Sequence, residues 1–141
     1  MGSQYGPEII KDKIVTRFDK LLRVATGQMF NRRRDIPGRQ DSDSLMKPSE
    51  KRVSEGLMRV NHSGELCAQA LYLGQSFFSR EDITFQCLVR AAVEEADHLD
   101  WCKRRLVELG ARPSKFNPIW ISGSCLMGIV LGAVGDSASL G

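Results

Sequence analysis

Glu94-Glu95-Ala96-Asp97-His98 is the stretch that decides how this chain folds. Leu88, Ala91, Ala92, Glu95, His98, Leu99, Cys102, Leu106 and Leu109 each lie three or four residues from another of the set, so a helix gathers them on one stripe. Glu95 and His98 therefore lie inside an otherwise apolar face. A carboxylate and an imidazole turned toward a helical core cost several kcal/mol if unpaired, so each needs a partner. A metal ion is one answer; pairing with each other, or with an arginine of a neighbouring helix, is another.

Glu65, thirty residues earlier, is the candidate third member; the alternative is an exposed glutamate near the middle of its helix. A helix beginning between Ser49 and Ser54 and running to about Phe78 would bury Leu57, Val60, Gly64, Ala68, Leu71 and Phe78, with Glu65 at the edge of that face. Ser79-Arg80-Glu81-Asp82 forms the turn, with Ser79 as N-cap and acidic residues in the first turn of the next helix. That helix ends at Leu109, before Gly110. So short a connection makes the two helices antiparallel neighbours and brings Glu65 and Glu95 level. A Glu joined by Glu-x-x-His from the adjoining helix is half the ligand set of a di-iron carboxylate bundle.

The flanks are different in character. Pro7 to Thr26 places Ile10, Ile14, Phe18, Leu21, Leu22 and Ala25 at helical spacing among Lys11, Lys13, Arg17, Lys20 and Arg23, and Gly27 stops it. Such a basic amphipathic helix suits a membrane surface, a partner, or the outside of a soluble bundle. Residues 28–50 carry Arg32-Arg33-Arg34, Pro37-Gly38 and Asp41-Ser42-Asp43-Ser44, the composition of a linker. Three segments are expected: 1–27 amphipathic helix, 28–50 linker, 51–141 helical bundle. Beyond Arg112-Pro113, Phe116 to Gly135 is uncharged over 20 residues, with Ser124, Gly128 and Gly132 spaced by four. Its length would cross a bilayer, but Asn117, Pro118 and four glycines favour a helix half buried in the bundle and half open to lipid.

Composition narrows the function classes. With 141 residues, 42% hydrophobic and 26% charged, the chain has room for one domain and one core. Cys67, Cys87, Cys102 and Cys125 form no CxxC pair and read as free thiols of a reducing compartment. No secretory signal is visible at Met1 to Asp12. Met1 to Val53 holds 12 Lys/Arg against 7 Asp/Glu, whereas Ser54 to Gly141 holds 8 against 10, so the net +3 resides in the amino-terminal arm. Its arginines lack interleaved aromatics for stacking bases, which argues against nucleic acid and leaves an anionic membrane as the polyanion. No GxGxxG motif marks a nucleotide site.

Several motifs occur in order: Leu57-Met58-Arg59-Val60-Asn61-His62-Ser63-Gly64-Glu65, Cys67-Ala68-Gln69-Ala70-Leu71-Tyr72, Glu94 to Leu99, Asn117-Pro118-Ile119-Trp120, and Gly132-Ala133-Val134-Gly135-Asp136. In these the chain resembles the demethoxyubiquinone hydroxylase family of ubiquinone biosynthesis. The resemblance implies an all-α, ferritin-like di-iron four-helix bundle, here with about three bundle helices present or begun. It implies an O2-dependent monooxygenase, peripheral on the cytoplasmic face of the membrane, acting on a polyprenylated quinone, with other ubiquinone-biosynthesis proteins or a second copy as partners. Glu65, Glu95 and His98 become iron ligands, Glu95 bridging two irons, and no further catalytic residue is implied. His62 becomes a supporting residue, and Ser63 stands where alanine is usual. A further glutamate and a second Glu-x-x-His belong to the family pattern, and the 141 residues contain neither. The chain is accordingly expected to be an amino-terminal portion that is not competent alone. Two alternatives are a homodimer that completes the site and a metal-free, membrane-associated helical module.

Overall fold

The computed structural model describes residues 7–25 and 46–137, in which four helices and no strand occur: α1 (Pro7–Ala25), α2 (Pro48–Phe78), α3 (Asp82–Leu109) and α4 (Asn117–Val134). The expected stop at Gly27, the arginine triplet and most of the expected linker lie outside the described residues. The linker nonetheless ends sooner than expected. Pro48 already occupies the first helical turn of α2, where its preset φ suits a helix, and Glu50 reaches back to accept the Lys47 backbone N–H at 2.8 Å.

α2 is the centre of the architecture. It packs extensively against α3 and against α4, while α3 and α4 barely meet. On the α3 side the core is Phe85, Val89 and Ala92, with Tyr72, Leu73 and Val93 packed around them and Leu21 of α1 closing the cluster. Further along α3, Leu106 and Leu109 are also fully buried, so the stripe read from Leu88 to Leu109 does face inward. Gly110 ends α3 in the left-handed region at φ 75°, its N–H returned to the carbonyls of Leu106 and Val107.

The buried face expected for α2 needs correction. Leu57 and Val60 are 62% and 69% exposed, Phe78 is exposed and Gly64 faces open space. His62, Ala70, Gly74, Gln75 and Ser76 are the buried residues instead. A helix held between two neighbours has two contact stripes, and the one facing α4 must be built of small residues. A Cβ on Gly74 would lie 2.5 Å from the carbonyl oxygen of Cys125, one on Gly132 would lie 2.5 Å from that of Gln75, and one on Gly128 would collide with the Leu71 carbonyl. The four-residue spacing of Gly128 and Gly132 thus serves close helix packing, as the sequence suggests.

Ser79 is also reassigned. It closes α2, with its N–H and its hydroxyl both directed to the Ser76 carbonyl, and Glu81 takes the N-cap position of α3. The exposed amides of this turn are satisfied from the far end of the chain. Asp136 Oδ1 accepts from Arg80 N–H at 3.0 Å and Oδ2 from Glu81 N–H at 2.8 Å, and these two bonds hold its carboxyl below the usual carboxylate range. α1 is pinned to the same turn. Arg17 donates to the Ser79 carbonyl at 2.7 Å and to Asp82 at 2.6 Å, and its guanidinium lies 4.5 Å from the centre of the Phe85 ring.

α4 is less buried than expected. Only Asn117, Gly128 and Gly132 are buried, whereas Ile119, Trp120, Leu126, Met127, Val130 and Val134 are exposed. It is the one helix among the described residues long and apolar enough to cross a membrane, with mean hydropathy 1.5 and 17% of its span buried.

Candidate metal centre

The antiparallel pairing of α2 and α3 sets Glu65 level with the Glu95-His98 step. Gln69, one turn beyond Glu65, donates from Nε2 to the Ala92 carbonyl at 3.2 Å and so fixes the register of the two helices beside the site. One ligand atom from each of Glu65, Glu95 and His98 lies within 4.8 Å of the other two. His98 Nδ1 is 3.2 Å from Glu95 Oε2 and 3.8 Å from Glu65 Oε2. The side chains are 27%, 19% and 44% exposed for Glu65, Glu95 and His98 respectively, so the group is open along one edge.

Electrostatics sharpen this geometry. Burial, a hydrogen bond that the protonated Glu65 donates to the Glu95 carboxylate and the Glu95 charge together push the Glu65 carboxyl up to about 7, against the pull of His98. Two carboxylates this close share a proton when no cation stands between them. Burial and then the Glu65 charge also raise the Cys102 thiol, one turn of α3 beyond His98. Two carboxylates and an imidazole are a donor set suited to a divalent transition metal such as Fe(II), and a cation there would replace the shared proton. The residues present therefore fit a metal.

His62 stands apart from the donors. It is buried, and its Nδ1 is 3.5 Å from Asn117 Nδ2, whose Oδ1 accepts from the Ser63 hydroxyl at 2.7 Å. Burial, aided by the Lys103 charge, lowers its pKa, so its ring is neutral and Nδ1 can accept. This group ties the first turn of α4 to α2 one turn before Glu65. Sequence reasoning did not pair His62 with Asn117; the Asn-Pro at the start of an apolar helix was the available signal. Nor did it find Trp101, whose ring centre lies 5.2 Å from that of His98 at an angle of 40° and helps hold the imidazole. A step of three along α3 is the only trace of that contact in the sequence.

Comparison with known proteins identifies the family. The family described as "Ubiquinone biosynthesis protein COQ7" matches residues 52–141. A 3-demethoxyubiquinol 3-hydroxylase of Nitrosomonas europaea is 45% identical over 130 residues, covering 92% of this chain and 62% of the relative. One from Legionella pneumophila is 44% identical over 131 residues with the same coverage. One from Xanthomonas campestris is 50% identical over 108 residues, 77% of this chain and 50% of the relative. The chain thus spans 62% of the length of the first two of these curated relatives. No solved structure matches.

Proposed function

The chain belongs to the COQ7 family of ubiquinone biosynthesis, a ferritin-like di-iron helical family, and on that premise we propose that Glu65, Glu95 and His98 are its iron ligands. The convergence of their three ligand atoms within 4.8 Å is the observation that carries the reading. The reaction is the ring hydroxylation of a demethoxy polyprenyl quinol, by analogy with the hydroxylases it is similar to. Bound iron supplies the activation of dioxygen that no side chain can provide.

The residues around it supply the frame. Glu65, Glu95 and His98 would hold the metal, Glu95 being the least exposed of the three donors. The neutral His62 and Asn117 hold α4 in place one turn from Glu65. The membrane is the source of the substrate, approached from the cytoplasmic face. The exposed apolar surface of α4 and the basic α1 support that placement. The open edge beside His98 is where the other donors enter, from the part of the curated relatives that the chain does not span or from a second copy.

Anaerobic Fe(II) loading followed by elemental analysis tests the assignment. The chain should take up iron and gain thermal stability from it, and Glu95→Ala should do neither. Iron retained by Glu95→Ala would defeat the reading. Size-exclusion chromatography of the loaded protein identifies the source of the other donors: iron confined to a dimeric fraction points to a second copy.

A further inference from the structure

Along the amino-terminal half of α2 a groove of about 490 Å³ opens between α2, the α3–α4 connection and the start of α4. Cys67, two residues past Glu65, lies in its wall, and two residues turn a helix by about 200°, so the groove and the metal centre open on opposite sides of α2. Arg59 is the one charged residue that lines it, and no acid lines it. Its Nε donates to the Arg112 carbonyl at 3.0 Å, which ties the guanidinium to the α3–α4 connection, while its two terminal nitrogens have no hydrogen-bond or ion-pair partner among the described residues. An arginine anchored through Nε and open at its other two nitrogens presents the planar fork that a carboxylate meets with two parallel hydrogen bonds. Ser114, in the same wall, accepts the Phe116 N–H at 3.2 Å and keeps its hydroxyl proton for a further acceptor. The remainder is apolar and unfilled. Val60 and Trp120 are 69% and 54% exposed, and a Cβ on Gly56 or Gly64 would meet nothing within 4 Å. The indole of Trp120 suits a flat ring, and the volume falls within the range of about 300–1,000 Å³ typical of a small-molecule site. One guanidinium balances one negative charge: a hydrocarbon would leave Arg59 unmatched, and a phosphate dianion would bring more charge than the lining meets.

We propose that this groove binds a small aromatic carboxylate, its carboxylate on the terminal nitrogens of Arg59 and its ring against Trp120. The site is independent of the metal assignment, since it shares no residue with it.

Cys67 reports on occupancy because it lines the groove, and the exposed Cys87 serves as reference. The test follows alkylation of both thiols by N-ethylmaleimide, using mass spectrometry, on the full metal-free chain with 2-naphthoate as the probe and calorimetry to measure its dissociation constant. At ten times that constant, Cys67 should react roughly tenfold more slowly and Cys87 at its former rate. Arg59→Gln should weaken 2-naphthoate binding about tenfold or more, and Trp120→Leu several-fold. The neutral isostere 2-naphthamide and the ringless acetate, tested on the unaltered chain, should each protect Cys67 far less at the same concentration. An unchanged Cys67 rate at about 1 mM 2-naphthoate overturns the proposal, as does full affinity in Arg59→Gln. Equal protection by 2-naphthamide overturns the carboxylate assignment, equal protection by acetate overturns the aromatic one, and tighter binding of 2-naphthyl phosphate overturns the match to a single negative charge.

Discussion

The two long contacts of α2 are built on opposite principles. Toward α4, glycines at 74, 128 and 132 let the backbones touch, and at those three positions not even a methyl fits. Toward α3, Phe85, Val89 and Ala92 hold the helices apart with side chains, and in the same interface Glu65, Glu95 and His98 share a small polar space. A close backbone contact fixes geometry but leaves no room for chemistry. A side-chain interface is wide enough to seat donors, and the apolar layer beside them raises the energetic cost of leaving them unpaired. One helix can therefore be clamped on one side and functional on the other.

Three perturbations test this division, the largest first. Phe85→Ala empties the centre of the α3 interface and removes the surface on which Arg17 rests, so it should cost about 3–5 kcal/mol in denaturant unfolding. A loss below 1 kcal/mol would mean that the α3 side does not carry the fold. Gly128→Ala places a methyl against the Leu71 carbonyl and should cost about 1–3 kcal/mol, because a backbone neighbour yields only by separating the helices. An alanine tolerated without loss would show that the α4 contact is looser than drawn.

The smallest effect is electrostatic. Glu65 in the folded chain holds its proton up to about 7, whereas the unfolded group releases it near 4.5. The folded state thus binds more protons between these values, and metal-free stability should decline as pH rises across that window and level off above it. Glu65→Gln should flatten the decline. Fe(II), which competes with that proton, should bind more tightly as pH rises through the same range. A metal-free chain that gains stability from pH 4.5 to 7 through Glu65 would contradict the shared-proton geometry.

The α3 stripe from Leu88 to Leu109, the stop at Gly110 and the convergence of Glu65 with Glu95 and His98 were all legible from spacing. Each depends on contacts within one helix or across one short turn, and helical periodicity fixes both. The buried face of α2 was not. Periodicity identifies the apolar stripe, but a central helix with neighbours on two sides buries His62, Gly74, Gln75 and Ser76 and leaves Leu57 and Val60 in the open. The capping of the α2–α3 turn by Asp136 and the link from His62 to Asn117 join residues more than fifty positions apart, where no local pattern reaches. The sequence by itself determined which helices form and which three side chains share one level of a helical pair. Only the tertiary structure decided which faces α2 buries and where the Arg59 groove opens, because those depend on how closely each backbone can approach its neighbour.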